Sequence, residues 1–307
     1  VLVPLLALVA LAVAIELLRP GSFTLERLGL KSGEVMTLAL AATGMTIVVL
    51  RGGIDLSIGG TISLATALAA TSGEGPAALP WLLLIPLVGV AVGLANGYII
   101  STLQLQPFLV TLAGWSILEG LALIVLPAEA PTVPSAWTAA VHSSIGGVPV
   151  PFVLLLGLLA WWLWFRGTRP MNAIRAAGSN ERAAALMGVP PLRANLAAYG
   201  LSGLCAALAG LFYAAQTGAG DPVVGTDYIL PAIAAVVIGG TSLAGGRGGL
   251  VGTLLGVIIL NFIGDIVFLL RLPSYWQPVA TGLILVAVVV ATAAAAALSS
   301  RTRDRGA

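Results

Sequence analysis

The residues that could do chemistry in this chain are few, and most stand in or beside long apolar runs. Asp55, Glu119 and Asp265 are acids in such positions, and Asn96, Gln106, Thr111 and Asn261 are neutral polar groups. A charge in hydrocarbon is expensive unless it is paired or opens on a water-filled path. Two chemistries fit these side chains: hydrogen bonding to a hydroxylated solute in transit, or titration coupled to an ion gradient. Each also has a structural reading. Asp55 can cap the helix that begins at Leu56, accepting from the free N–H of Ser57 or Ile58. Glu119, late in its apolar run, can reach the headgroup level near the outer surface. The amides and Thr111 can satisfy neighbouring helices. His142 stands in a loop as unremarkable surface, and Cys205, among Ala and Gly, reads as packing. A single cysteine excludes an internal disulfide. No metal-ligand spacing, nucleophile triad or paired catalytic carboxylate is present, so no enzymatic centre is expected. The one lysine, Lys31, precedes Ser32 but follows Leu30 rather than glycine, so the phosphate-binding Gly-Lys-Ser/Thr loop is missing too.

These residues have to be positioned by elements made for lipid. Of 307 residues, 59% are hydrophobic and 8% charged, whereas a soluble domain carries about a quarter charged residues. The chain reads as an all-α, polytopic membrane protein: one transmembrane domain over 1–307, with no soluble domain. About ten spans are expected, at 1–18, 34–50, 56–71, 81–100, 108–126, 150–165, 195–217, 229–243, 249–270 and 276–298. Orientation follows from Lys and Arg in short loops. Arg166, Arg169, Arg175, Arg182 and Arg193 crowd one interval, and Arg301, Arg303 and Arg305 crowd the tail. Both belong in the cytoplasm, and Arg51 and Arg247 then fall on the same side. Loops 72–80, 127–149 and 218–228 hold no Lys or Arg and face outward. Residues 19–33 break the rule, because Arg19, Arg27 and Lys31 are expected outside.

The interval 166–194 is the longest polar stretch. Within it, Ser179 or Asn180 can cap a short helix, Glu181 suits its first turn, and Gly188 with Pro190-Pro191 ends it. A helical core of about seven residues is about 10 Å long, too short to span. Ala183, Leu186 and Met187 share one face. So short a helix needs a surface, either its own spans or a groove on a partner. Elsewhere, Gly89, Gly93 and Gly97, and likewise Gly248, Gly252, Gly256 and Gly264, line helix faces that allow close packing, within the chain or between subunits. Gly52-Gly53-Ile54-Asp55-Leu56-Ser57 and Gly239-Gly240-Thr241-Ser242-Leu243 resemble each other and hint at an internal repeat.

Several of these blocks together resemble the permease subunits of ribose-type sugar ABC importers. They are Gly52 through Gly59, Gln106-Pro107-Phe108-Leu109-Val110-Thr111-Leu112, Ala177 through Gly188, and Ala232 through Leu243 followed by Gly245-Gly246-Arg247-Gly248. The resemblance implies a non-catalytic transport subunit in the bacterial inner membrane, in contact with lipid and not with nucleic acid. It implies two permease copies, a periplasmic or lipid-anchored sugar-binding protein, and a cytoplasmic ATPase that holds ATP and Mg while this chain binds no cofactor. By similarity, Ser179, Asn180, Glu181, Ala183, Ala184, Leu186, Met187 and Gly188 would form the coupling helix that meets the ATPase. Asp55, Asn96, Phe108, Thr111, Glu119 and Asn261 are the candidates for the translocation pathway. The chain departs from the family pattern at Arg51, where a small or hydroxyl residue is usual, at Glu119, where arginine is frequent, and at Met171-Asn172, where Gly-Arg is usual. An ion-coupled secondary transporter and a branched-chain amino-acid ABC permease are the alternative readings.

Overall fold

Backbone N–H and C=O groups in hydrocarbon must be paired within their own segment, so the apolar runs become helices. In the computed structural model, which describes residues 2–127, 130–273, 275–284, 286 and 290, these helices are α1 (Leu2–Leu18), α2 (Leu25–Arg51), α3 (Ser57–Ala70), α4 (Trp81–Leu103), α5 (Pro107–Val125), α6 (Ser135–Val141), α7 (Val150–Phe165), α8 (Arg169–Ser179), α9 (Glu181–Leu186), α10 (Pro191–Thr217), α11 (Thr226–Ile238) and α12 (Leu250–Leu269). Two minimal antiparallel ladders interrupt the helical pattern. One pairs β1 (Ala130–Thr132) with a strand at Ala219–Gly220, and the other pairs Ser144–Ile145 with Val148–Pro149.

Each expected span overlaps a helix. The last, 276–298, is helical over 276–284, and most of its remainder lies outside the described residues, as do Arg301, Arg303 and Arg305. Among the described residues, five helices are long and apolar enough to cross a membrane alone. The helices α1, α3 and α11 are shorter, and α7 and α8 bend by 74° where they join.

Several borders differ from the expectation, among them the end of α11 at Ile238 rather than 243, and two departures bear on the site. Helix α2 starts at Leu25 rather than 34, because Thr24 caps it by accepting from the Arg27 N–H and because Lys31, in the early turns, finds carboxylates at Glu34 and Asp265. The polar interval after Phe165 is not one loop with one short helix. It contains α8 as well, whose Met171, Ile174 and Ala177 are buried at three-residue spacing. That spacing, with Pro170 in the first turn, was the available signal.

Helices α2 and α10 form the middle of the bundle. Met45, Ile47 and Leu50 of α2 and Ala198, Ala206 and Ala209 of α10 are buried in the main core with Ile58, Ile62, Trp162 and Leu250. Small residues set the distances. A methyl on Gly89 would strike the Gly203 carbonyl, one on Gly93 the Tyr199 carbonyl, and one on Gly97 would lie 2.9 Å from the Asn195 carbonyl oxygen, so α4 lies backbone to backbone on α10. Gly252 and Gly256 abut Gly239 and Ala235 in the same way, closing α12 onto α11. These two stripes pack within the chain rather than between subunits.

Candidate coupling surface and buried polar cluster

Helix α9 is built as its sequence predicts. The Asn180 Oδ1 accepts from the Ala183 N–H at 3.0 Å, which makes Asn180 rather than Ser179 the cap. Met187 N–H bonds back to Ala183 and Ala184 carbonyls, and Gly188 reverses the chain at φ 82°. Ala184 is buried with Ala177, Ala194 and Val189 and seats the helix on its own protein. Leu186 and Met187 face away from it: each is 86% exposed at the tip. Ala183 and Arg182 are exposed as well.

Beneath this tip, three segments meet. The Gly246 N–H donates to the Leu50 carbonyl at 2.9 Å. A methyl on Gly178 would strike that same carbonyl, and one on Gly245 would lie 2.6 Å from the Gly178 carbonyl oxygen. The end of α2, the end of α8 and the loop before α12 thus touch through backbone, which glycine alone permits. Gly245, two residues after the Gly239–Leu243 junction, is the residue that lies against Gly52 of the other junction. Arg51 adds charge to the joint: its guanidinium donates to Glu181 Oε2 at 2.7 Å, with the arginine side chain 9% exposed and Glu181 56% exposed. So Arg51, where the resemblance expected a small residue, ties α2 to the first turn of α9. Arg51, Arg247 and the α8–α9 segment lie at one end of the bundle, as their shared charge predicted.

Deeper in the bundle, Asp55 is 1% exposed. Its Oδ1 accepts from the Ser57 N–H at 3.0 Å and the Ser57 hydroxyl at 2.6 Å, and its Oδ2 accepts from Ser202 Oγ at 2.7 Å. The Asn96 amide donates to Ser57 Oγ at 2.8 Å. Thr111 Oγ1 stands 3.1 Å from the Ile54 carbonyl oxygen and 3.0 Å from that of Pro107. Four helices, α3, α4, α5 and α10, converge on this cluster. Asp55 is not the N-cap, which is Leu56, but from one position earlier it accepts the first N–H of α3 and also clamps α10; Asp55, Asn96 and Thr111 are all buried. The other pathway candidates lie apart. Phe108 is exposed on the first turn of α5, Glu119 accepts from the Thr226 hydroxyl at 2.9 Å, and Asn261 faces a separate cavity near the start of α2. Ser202 and Ser57 were missed as members of the cluster. Serine in an apolar helix leaves no distinctive pattern in sequence.

Residues 32–291 match the family described as the branched-chain amino acid transport system permease component. The chain belongs to that family. The ribose import permease of Haemophilus influenzae is 34% identical over 293 residues, covering 92% of this chain and 90% of that protein. The ribose import permease of Escherichia coli K12 is 36% identical over 290 residues, again 92% and 90%. An autoinducer 2 import permease from E. coli SMS-3-5 is 29% identical over 296 residues, with the same coverage. No solved structure matches the chain. This permease is therefore a transport component and a multi-pass membrane protein, and its short polar helices cap a bundle of apolar ones.

Proposed function

We propose that this permease is the membrane subunit of an ATP-binding cassette importer for a sugar in the bacterial inner membrane. The observation that carries it is α9: a capped helix seated by Ala184, presenting Leu186 and Met187 bare at the arginine-rich end. The unfavourable exposure of two large apolar side chains outside the lipid is relieved if they enter a groove on a cytoplasmic ATPase. That partner would hold ATP and Mg, a binding protein outside would deliver the sugar, and a second permease copy would complete the path. The chain acts throughout as a single transmembrane domain without catalysis. The ribose permeases among its relatives favour a pentose or hexose over an amino acid. A branched-chain amino acid would need charged partners for its ammonium and carboxylate, and the Asp55 cluster already spends its one acid on protein donors.

The outer face of α5 is suited to line a path between two copies. Leu109, Ile117 and Ile124 are exposed along it, with Phe108 at its base. Glu119 and Thr226 would place an acid near the outer mouth.

The test is uptake of radiolabelled ribose, arabinose and galactose by cells carrying the transporter. Leu186→Asp is expected to abolish uptake and the co-purification of the ATPase while the chain stays in the membrane at its normal level. Normal uptake with normal ATPase recovery would overturn the proposal. Collapsing the proton and sodium gradients while ATP is maintained should leave uptake running, and arrest would favour an ion-coupled carrier.

A further inference from the structure

Arg19, Arg27 and Lys31 together depart from the charge rule, as Arg271 does singly, and the structure gives the three a place. They line a cavity of about 560 Å³ between α1, α2, α7 and α12. Its α2 residues, Arg27 to Val35, lie in the first half of that helix, about 30 Å along its axis from Arg51. Its walls are apolar: Phe23, Leu28, Leu155, Phe262 and Phe268. Phe23 and Phe262 meet edge to face at 5.9 Å. Phe268 and Leu30 at its margin are exposed, so the cavity opens sideways where the chain meets lipid.

The charges are graded. Lys31 is held by Glu34 and Asp265. Among the described residues, neither Arg19 nor Arg27 has an ion-pair partner. Among the lining residues, three cations thus face two carboxylates, while Glu16 beside Arg19 accepts from the Gly21 and Ser22 N–H groups. Asn261 supplies a second demand. Its Nδ2 lies 3.5 Å from Glu34 Oε2, which fixes the amide orientation, and its Oδ1 is buried without a donor. A buried acceptor without a donor is costly and calls for one.

We infer that this cavity binds a glycerophospholipid, with the phosphodiester on Arg19 and Arg27, a donor of the headgroup on Asn261 Oδ1, and the acyl chains along the phenylalanine and leucine wall. A basic pocket between membrane helices with apolar walls fits a lipid headgroup. The three basic residues then act locally as a lipid anchor and not as a topology signal. A glycerol hydroxyl or an ethanolamine ammonium can serve Asn261, whereas choline has no donor.

Native mass spectrometry of the full-length permease, stripped in detergent and titrated separately with phosphatidylglycerol, phosphatidylethanolamine and phosphatidylcholine, tests this. One tightly retained phosphatidylglycerol or phosphatidylethanolamine per chain is expected. Arg19→Gln with Arg27→Gln should weaken retention about twenty-five-fold, since each cation near an anionic headgroup contributes about five-fold. Leu155→Trp, which fills the cavity without touching charge, should abolish it. Arg193→Gln, at the opposite end, should change nothing. Inorganic phosphate at the same concentration should not displace the lipid. Equal retention of phosphatidylcholine would overturn the headgroup assignment. Unchanged retention in both the double-arginine and the Leu155 variants would overturn the site, as would displacement by phosphate or disulfide capture of a second permease chain at Phe23→Cys in place of lipid.

Discussion

Asp55 is a buried carboxylate that accepts three hydrogen bonds from the protein. A buried carboxylate accepting from two hydroxyls and one backbone N–H leaves each of these donors dependent on it. Asp55→Ala is expected to cost about 3 kcal/mol and Ser202→Ala about half that, since hydrogen bonds to a charged group contribute roughly 1.5–3 kcal/mol each. Thermal unfolding of the purified chain in detergent reads the order of the two. Asp55→Asn keeps one acceptor oxygen and gives Ser202 a donor in return. It should lower the midpoint less than Asp55→Ala and leave sugar uptake measurable. Complete loss of uptake with a normal unfolding midpoint would instead make Asp55 a transport group. The chemistry of this cluster was half visible in the sequence. The acid and its bond to the first N–H of α3 were legible from Asp55-Leu56-Ser57, but Ser202 and Asn96 reach it only because α10 and α4 pack there.

Among the elements, the α4–α10 pair depends on small residues and α9 on its seat. Gly93 leaves no room for a side chain against the Tyr199 carbonyl, whereas Gly120 has nothing near it. Gly93→Leu should therefore prevent a stable bundle or lower its midpoint by many degrees, and Gly120→Leu should leave it near the original value. Circular dichroism melts of the two side by side decide the point. A four-residue glycine period was readable in sequence, but its partner was not, because a smooth face suits a neighbouring subunit as well as a neighbouring helix. Helix α8 was hidden for a different reason. Its polar composition masked a buried stripe of Met171, Ile174 and Ala177, which signals a helix lying across the bundle end and not one spanning it.

Across the whole molecule, the coupling end behaves as one joint. Segments around Leu50, Gly178 and Gly246 share backbone contacts, so under the proposed function a push on α9 would be passed to the chain before α3 and to the loop before α12. The Arg51–Glu181 pair reinforces this link. Arg51→Gln and Glu181→Gln should each reduce uptake several-fold while ATP hydrolysis by the complex persists. The double variant should be no worse than the Arg51 variant alone, because each single change already breaks the same bond. Additive losses in a double-mutant cycle would show that the two residues act separately. Glu181 lies more than half exposed, so the pair contributes modestly to stability, and under the proposed function its loss should show in uptake rather than in the unfolding midpoint.

Composition and run length by themselves determined that this chain is a helical membrane protein, since no water-soluble fold can bury so much apolar surface. Arginine placement determined which loops share a side, and capping residues determined α9, because caps are local. The tertiary structure decided the rest. It turned Ala184 inward and left Leu186 and Met187 outward, a choice that helical periodicity cannot make without knowing where the bundle lies. It joined Arg51 to Glu181 across 130 positions of chain. It also gathered Arg19, Arg27 and Asn261 around one cavity, which no local pattern could reveal, because their meeting is a property of how α1, α2 and α12 pack.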